Sequence, residues 1–214
     1  MKDEMIAEVM DHLRRNNMEA RYVPGRGDVA AAVAGLLRPG DRAAVGGSVT
    51  LEECGVLRLL RTGPYRFIDR YEPGLTGAQR EARLKAAFGA DVFLCSANAI
   101  TRHGEIYQVD GLSNRIAPLV YGPDRVIVVA GINKLVEDLD EAARRVRTVT
   151  APAIVRRRGL DAPCAGPGRC VVPDGDLGAG CLCDARRCCN FLVMGRQRVP
   201  GRIKVILAGE ELGF

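Results

Sequence analysis

The segment RAAVGGSVTLEECGVLRLLRTGPYRFI, residues 42–68, carries the pattern that decides the fold. Arg42–Val45 and Tyr65–Ile68 predict two short apolar strands, and Thr50–Leu60 predicts a helix between them. Two strands joined through a helix usually run parallel, because the helix carries the chain back to the end of the sheet where the first strand began. This segment therefore predicts one repeating unit of a parallel α/β sheet.

The same alternation extends in both directions along the chain. The further predicted strands are Ala20–Val23, Asp91–Cys95, Arg125–Ala130 and Ile203–Ala208, and the further predicted helices are Asp3–Asn16, Asp28–Leu37, Thr76–Phe88, Asn114–Tyr121 and Leu135–Val149. Short, nearly all-apolar strands are typical of a sheet that is buried on both faces. We expect an α/β fold, with a mostly parallel sheet and helices on both faces, formed by residues 1–214 as a single domain.

Length, composition and charge limit the class of protein. The chain has 214 residues, 47% of them hydrophobic, and a formal net charge of +5. The N-terminal residues contain acidic side chains, unlike a secretory signal, and no stretch approaches the roughly 20 apolar residues of a membrane span. We therefore expect a soluble, cytoplasmic protein. The surplus positive charge lies towards the C-terminus with few aromatic residues, so we do not expect nucleic acid as a partner.

Small and polar residues follow the predicted strands. In an open parallel sheet, ligands bind outside the carboxyl ends of the strands. We therefore expect a crevice for a small carboxylate or phosphorylated ligand at this edge. The candidate ligand-binding residues are Gly46, Gly47, Ser48, Thr50, Asn98, Asp110, Asn114, Arg115, Asn133 and Lys134.

Each of these candidates also has a purely structural interpretation. The loop Gly46–Thr50 lets the backbone approach an anion, or it makes a tight turn whose hydroxyls cap the next helix. Arg115 is suited to a bidentate pair with a carboxylate ligand, or it pairs with Asp110. Asn133 and Lys134 bind ligand, or they cap a helix and face solvent. The sequence alone leaves these alternatives open.

His103 falls at the predicted tip of a hairpin formed by Ile100–Val109. A histidine in that position is more often incidental than catalytic, and no serine or cysteine nucleophile in a recognisable motif accompanies it. The sequence therefore predicts no hydrolase triad.

The cysteines are unevenly distributed. Cys54 and Cys95 fall within a predicted helix and strand, where we expect buried hydrophobic side chains. The other six cysteines are Cys164, Cys170, Cys181, Cys183, Cys188 and Cys189. A chain of this length needs no disulfides for its core, and cytoplasmic thiols stay reduced. Residues 159–200 therefore predict a Cys-rich, metal-binding insertion before the last strand.

The metal is not decided by the cysteine spacing. Soft thiolates select iron–sulfur clusters or zinc. The paired C-x2-C knuckles of structural zinc sites are absent from this sequence, whereas irregular loops are compatible with an iron–sulfur cluster. An unliganded thiol switch is the third alternative.

Several motifs, in order along nearly the whole chain, resemble one known family. They are GGSVTLEE at 46–53, FIDRY at 67–71, ADVFL at 90–94 leading to NAIT at 98–101, DG at 110–111 with NR at 114–115, YGP at 121–123, and GRIKVIL at 201–207 with GEELGF at 209–214. The sequence resembles the stand-alone LUD-domain proteins, the lactate utilization proteins. This resemblance implies a fold similar to the superfamily of glucosamine-6-phosphate isomerase, ribose-5-phosphate isomerase and the CoA-transferases.

The resemblance also implies a function and a cofactor. It implies an oxidoreductase component in the oxidation of L-lactate or a related 2-hydroxy acid, working with redox partner proteins. The family's cysteine pattern implies a [4Fe–4S] cluster, held here by Cys164, Cys170, either Cys181 or Cys183, and Cys189. The extra cysteines and a longer glycine-rich spacer, Val171–Gly180, depart from that pattern.

Two rival functions are compatible with the same residues. In the first, the crevice senses a metabolite and the cysteines form a structural zinc site or a thiol switch, so the protein is regulatory and not catalytic. In the second, the protein is a sugar-phosphate isomerase or CoA-transferase, and the isomerase would need Asp69, Glu105 or Asp110 as a base near the ligand. A homo-oligomer is compatible with each of these functions.

Overall fold

A computed structural model describes residues 2–173 and 178–214. The helices are α1 (Lys2–Arg15), α2 (Arg26–Ala34), α3 (Val49–Glu53), α4 (Val56–Thr62), α5 (Gly77–Ala86), α6 (Ile116–Val120), α7 (Leu139–Arg145) and α8 (Ala151–Arg157). The strands are β1 (Glu19–Val23), β2 (Arg42–Val45), β3 (Arg66–Ile68), β4 (Val92–Ser96), β5 (Ala99–Thr101), β6 (Ile106–Asp110), β7 (Arg125–Gly131), β8 (Leu135–Val136), β9 (Asn190–Met194) and β10 (Ile203–Ala208). None of the helices in this described part combines the length and apolar character that a membrane crossing requires.

Six strands form a parallel sheet in the order β1-β10-β7-β4-β2-β3. Every neighbouring pair is parallel, and the pair β10–β7 is the most extensive. The predicted α/β fold with a parallel sheet is confirmed. Because all six strands point the same way, their carboxyl ends meet at one edge.

Both faces of this sheet are covered. On one face, Leu94 and Ile127 pack with Leu51 and Leu60 of the short helices that follow β2. On the other face, Phe93 packs in a second cluster that includes residues of α1 and α6. Adjacent strand residues alternate between the two clusters because strand side chains point to opposite faces. This double burial explains why the strand sequences are continuously apolar.

A second, smaller sheet packs beside the first and was not predicted. Its order is β8-β5-β6-β9. The predicted hairpin is confirmed as the antiparallel pair of β5 and β6. β9 adds an antiparallel strand next to β6, so Asn190–Met194, within the Cys-rich segment 159–200, is part of this sheet. This strand connects the cysteine segment to the main body of the protein.

Two predicted helices have wrong boundaries, and each has a local cause. Thr50–Leu60 is split into α3 and α4, because Gly55 adopts a left-handed conformation with φ of 69°. The predicted helix Leu135–Val149 starts too early, because its first two residues form strand β8, which pairs with β5. Its helix begins after Asp138, whose carboxylate accepts a hydrogen bond from the Glu141 backbone N–H at 2.8 Å. It then continues through a π-helical turn, Val146–Thr150, into α8.

The C-terminal segment after β10 crosses the carboxyl edge of the sheet. The Leu212 backbone N–H donates to Asn133 Oδ1 at 3.1 Å, and the Ile132 N–H donates to the Glu210 carbonyl at 3.1 Å. A Cβ atom at Gly131 would lie 2.5 Å from the Glu210 carbonyl oxygen and 2.6 Å from the Leu212 nitrogen. Only glycine lets the end of β7 approach this segment so closely.

We predict that Gly131→Ala destabilises the protein by about 1–3 kcal/mol, because the added methyl meets backbone atoms that cannot rotate away. Gly27→Ala is the matched control, since open space surrounds that exposed position in α2. Alanine favours the helix there, so the control should match the wild type or gain up to about 1 kcal/mol. Urea unfolding measures both free energies. Equal stabilities for the two variants would contradict this packing.

Candidate functional site

A crevice of about 550 Å³ opens at the carboxyl edge of the parallel sheet. Residues that end or follow the central strands β2, β4 and β7 line it, among them Thr50, Ser96 and Lys134. Helices α4 and α8 supply further lining residues, and the side chain of Phe214 completes it from the C-terminal segment. The crevice therefore lies where a parallel sheet places its ligand site.

Lys134 is the most deeply buried charged side chain of the crevice lining, with only 2% of its surface exposed. Its Nζ donates to Thr50 Oγ1 at 2.9 Å and to Ser96 Oγ at 2.8 Å. These two hydroxyls are 3.4 Å apart. Across the described residues, no carboxylate forms an ion pair with this amine. Lys134 is thus held by neutral oxygens at the base of a cationic crevice.

The surroundings of Lys134 favour its neutral form. Burial and, to a smaller extent, the nearby guanidinium groups of Arg145 and Arg115 together lower the pKa of the Lys134 amine to about 7. Glu53 and the Cys54 thiol oppose this shift of the pKa, with smaller effects. Lys134 therefore exchanges its proton near neutral pH, unlike an ordinary surface lysine.

The charge of the crevice is strongly positive. Its basic residues are Arg58, Arg61, Arg115, Lys134, Arg157 and Arg158, whereas Glu52 is the one acidic residue among the described lining. Arg157 pairs with Glu52 at 2.9 Å, and Arg61 pairs with Asp69 at 2.7 Å. In the described part of the chain, no acidic group lies within ion-pair distance of Arg58 or Arg158. Such a lining attracts small anions.

Arg115 is held in place by its own loop. Its Nη2 donates to Asn98 Oδ1 at 2.9 Å and to the Val109 carbonyl at 2.6 Å. Its Nε lies 4.0 Å from Asp110 Oδ2, the limit of an ion pair, while its backbone N–H donates to the same carboxylate at 2.9 Å. Gly46 makes room for this arrangement, since a Cβ there would lie 2.9 Å from Arg115 Cγ. Arg115 is therefore fixed before any ligand arrives.

The structure brings six of the ten ligand-binding candidates into the crevice lining. These six are Gly47, Ser48, Thr50, Asn98, Arg115 and Lys134. Ser48 also caps α3, because its Oγ accepts from the Leu51 N–H at 3.2 Å. The structural and ligand-binding interpretations of this residue are therefore compatible.

The other four candidates lie outside the lining. Gly46 and Asp110 position Arg115, as described above. Asn133 holds the C-terminal segment, donating to the carbonyls of Leu212 at 3.5 Å and Gly213 at 3.3 Å. Asn114 lies in the turn before α6 and is not part of the lining.

Sequence reasoning missed several lining residues. Ser96 is the last, buried residue of β4 and directly follows the predicted strand Asp91–Cys95, so the rule that selected Asn98 could also have selected it. Arg58 and Arg61 lie one turn apart in α4, and in the sequence this spacing is typical of a solvent-exposed helix face. Arg157 and Arg158 lie in or just after α8, a helix that the sequence did not predict. Only the tertiary fold brings these arginines to the strand ends.

A second cavity, of about 50 Å³, lies between the cysteine segment and the stretch from α7 to α8. Four cysteines line it: Cys164, Cys170, Cys181 and Cys188. The rest of the lining is largely apolar and includes Tyr107, Val146 and Phe191. Of the five cysteines named as metal candidates, this cavity brings together Cys164, Cys170 and Cys181. It adds Cys188, which was not among them.

The remaining two candidates point elsewhere. The Cys183 thiol donates to the Asp161 carbonyl at 3.3 Å. The exposed Cys189 thiol donates to the Arg186 carbonyl at 3.5 Å. The adjacent pair Cys188-Cys189 thus directs one thiol inward and the other outward, a difference that spacing cannot reveal. Cys54 and Cys95 are buried in the core, as predicted.

The four thiols that line the cavity are close but not assembled. Within residues 2–173 and 178–214, no three His, Cys, Asp or Glu side chains form a group that could hold a metal ion as they stand. Burial raises the pKa of the Cys164 and Cys188 thiols above the ordinary value, which favours the protonated form. Metal binding would therefore have to draw the thiols together and release their protons.

The loop around this cavity is held by two arginines. Arg147 Nη1 donates to the Ala179 carbonyl at 3.1 Å, and its Nη2 donates to the carbonyls of Val172 and Pro173. Arg186 donates to the carbonyls of Cys188 at 2.8 Å and Cys181 at 3.2 Å. These bonds fix the backbone around the cavity.

One helical stretch separates the two cavities. In the segment from α7 to α8, Val146, Arg147 and Ala151 line the thiol cavity. Thr150 and Ile154 of the same segment line the cationic crevice. The π-helical turn Val146–Thr150 lies at this boundary. π-Turns often occur at functional sites because the extra residue redirects neighbouring side chains.

The two sites are also connected through β6. The Asn98 backbone N–H donates to the carbonyl of Tyr107 at 3.2 Å, and the side chains of these two residues line the crevice and the thiol cavity, respectively. The Asp110 carbonyl accepts from the Cys189 N–H at 3.2 Å, while its carboxylate holds the Arg115 N–H. The cysteine segment is therefore bonded to the residues that orient the crevice.

Comparisons with known proteins give a family and a fold. Among solved structures, the chain is similar to a DUF162 family protein from Deinococcus radiodurans, with a TM-score of 0.55 and 17% identity over 98% of this chain and 99% of that one. It is also similar to parts of eIF2B beta and eIF2B delta from Chaetomium thermophilum, each with a TM-score of 0.36 and 17% identity. These two matches cover 53% and 62% of this chain, and 43% and 51% of the eIF2B chains. No curated protein matches the chain.

The family follows from the sequence and not from these structural likenesses, which at 17% identity extend to the fold alone. The family model of the LUD domain matches residues 6–208. This match runs from α1 to the end of β10 and includes every lining residue of both cavities except Phe214. The chain therefore belongs to the LUD domain family.

Proposed function

We propose that this protein is a redox component in the oxidation of L-lactate or a related 2-hydroxy acid. In this proposal the cationic crevice binds the acid through its carboxylate, and the four-cysteine cavity holds an iron–sulfur cluster. The observation that carries the proposal is that the two cavities share one helical wall, from α7 to α8. Electron transfer needs the oxidised group and the redox centre to be close together, and this arrangement supplies that proximity.

The crevice has the chemistry of a carboxylate site. Arg115 is pre-oriented and lines the crevice; its Nη2 is used by Asn98 and Val109, which leaves Nη1 to donate to a ligand carboxylate. Lys134, when protonated, adds a positive charge at the base, where the surrounding protein excludes water and strengthens Coulomb attraction. The hydroxyls of Ser96 and Thr50 are suited to bind the hydroxyl or carbonyl oxygen of the ligand. The binding of a small organic anion is the function that this geometry supports best.

The donor set of the thiol cavity fits an iron–sulfur cluster. Four cysteine thiols surround an otherwise largely apolar cavity, and four thiolates are the usual ligands of such clusters. Cys164, Cys170, Cys181 and Cys188 would hold the cluster, with Arg147 and Arg186 fixing the loop around it. When bound, the cluster would supply one-electron transfer between the crevice and a partner protein. Zinc bound by the same four thiols, in a regulatory protein, is the rival proposal.

We predict that Lys134 makes anion binding depend on pH. With a pKa of about 7, this amine is charged below neutral pH and neutral above it, so the affinity for L-lactate should fall as pH rises. Between pH 6 and 8 the decrease should reach about tenfold, because the charged fraction falls by that factor. Isothermal titration calorimetry measures this change.

In Lys134→Met, the affinity for lactate should be weaker at pH 6 and nearly independent of pH up to pH 8. Lys85→Met is the matched control, because the Lys85 side chain is 77% exposed and lies outside the crevice. An unchanged pH dependence in Lys134→Met would contradict the assigned role.

We predict that two neighbouring cysteines differ in their effect on the cluster. Cys188→Ser should lose most of the iron after anaerobic reconstitution, because it removes a thiol that lines the cavity. Cys189→Ser should retain iron and the brown colour, because the Cys189 thiol is exposed and directed away. Likewise, Cys181→Ser should lose iron, because Cys181 lines the cavity, and Cys183→Ser should retain it. Iron and sulfide analysis with absorption spectra measures each outcome.

Two results would contradict this assignment. Retention of the cluster in Cys188→Ser with loss in Cys189→Ser would show that the outward thiol is the ligand. A colourless protein that binds stoichiometric zinc would favour the regulatory proposal instead.

A further inference from the structure

The chain has few lysines, and one of them, Lys134, is buried at the crevice. Only four lysines, Lys2, Lys85, Lys134 and Lys204, stand among its 31 basic residues. Lys85 is exposed and pairs with Glu81 at 3.4 Å, while Lys204 pairs with Glu19. Lys134 is buried without a carboxylate partner among the described residues. Every other basic residue of the crevice lining is arginine.

This choice of residue has a chemical consequence. The guanidinium of arginine remains protonated under all ordinary conditions, so arginine can bind an anion but cannot act as a nucleophile. A lysine amine becomes a nucleophile once it loses its proton, and burial beside other cations promotes that loss. Lys134 has both conditions, because it is 2% exposed and Arg145 and Arg115 lie near it.

The hydroxyls around Lys134 suit a reaction at its nitrogen. Thr50 Oγ1 and Ser96 Oγ lie 2.9 Å and 2.8 Å from Nζ, so both can exchange protons with it directly. Each of these residues also lines the crevice. A ligand carbonyl held there would meet the amine and two proton-transfer groups together. Arg58, Arg115 and Arg158 are available in the same lining to bind an anionic group on the ligand.

We propose that Lys134 forms an imine with a small carbonyl compound that carries a carboxylate or phosphate group. The neutral amine attacks the carbonyl carbon and gives a carbinolamine. The carbonyl oxygen then leaves as water with the two protons of the amine, and a C=N bond replaces the C=O bond. Ser96 and Thr50 carry these protons between nitrogen and oxygen. The step needs no oxidant or reductant.

The proposal rests on the anion-binding function proposed above and deepens it by naming the ligand class. Oxidation of a 2-hydroxy acid yields a 2-oxo acid, which is a small carbonyl compound with a carboxylate. Lys134 would therefore capture the product of that oxidation as a covalent but reversible intermediate. A phosphorylated carbonyl compound presents the same two groups to the crevice.

Reductive trapping tests this proposal on the full-length protein. The protein is incubated at pH 7 with pyruvate, or in a second arm with dihydroxyacetone phosphate, and sodium cyanoborohydride reduces any imine to a stable amine. Peptide mass spectrometry then locates the adduct. We expect it at Lys134 in excess over Lys85 by about tenfold or more. At pH 7, a group with a pKa of about 7 is half neutral, whereas an ordinary lysine is neutral in fewer than about one molecule in a thousand.

The two arms and a variant separate the outcomes. Trapping with pyruvate alone supports a carboxylate ligand, and trapping with dihydroxyacetone phosphate alone supports a phosphorylated one. Lys134→Arg keeps the charge but should give no adduct at this position, while Lys85→Arg should trap like the wild type. If pyruvate binds by calorimetry but no adduct forms at Lys134 in either arm, the imine is refuted and the anion site stands. If neither binding nor an adduct occurs, the proposed anion site fails as well.

Discussion

The buried amino group of Lys134 ties together the four central strands of the sheet. Lys134 follows β7, and its Nζ donates to Ser96 at the end of β4 and to Thr50 after β2. Thr50 in turn donates to the Leu212 carbonyl, after β10, at 3.3 Å. A charge buried without partners would cost several kcal/mol, so the amine is bonded to hydroxyls and has a lowered pKa. In the proposed function, the group that closes this edge of the sheet would therefore also respond to the charge of a bound anion.

The helical stretch from α7 to α8 gives the crevice and the thiol cavity a common wall. Arg145, at the end of α7, donates to the carbonyls of Asn98 at 2.7 Å and Asn133 at 2.9 Å, and to Thr150 Oγ1 at 2.9 Å. These bonds attach the π-helical turn to the strand ends beside the crevice. The opposite side of the turn contributes Val146 to the thiol cavity. A change in the position of this turn would therefore move lining residues of both cavities.

The parallel sheet could be predicted from the sequence because its strands are continuously apolar and alternate with helices. The second sheet could not, since β8 has only two residues and its partner β5 is distant in sequence. Polar residues after strands indicated Lys134, because strand ends converge in every parallel sheet. The same rule selected Arg115, although the strand before it, β6, belongs to the second sheet. The sequence could not distinguish Cys188 from Cys189, because adjacent thiols diverge according to local backbone geometry. The arginines of α4 and α8 reach the crevice only through helix packing.

The claim that the two cavities act as one redox unit is tested most directly by the midpoint potential of the anaerobically reconstituted protein, with and without saturating L-lactate. We predict that lactate shifts this potential, because an anion in the crevice interacts differently with the oxidised and reduced cluster. The shift should be about 59 mV for each tenfold difference in lactate affinity between the two states. A reconstituted cluster whose potential is the same with and without bound lactate would contradict the claim.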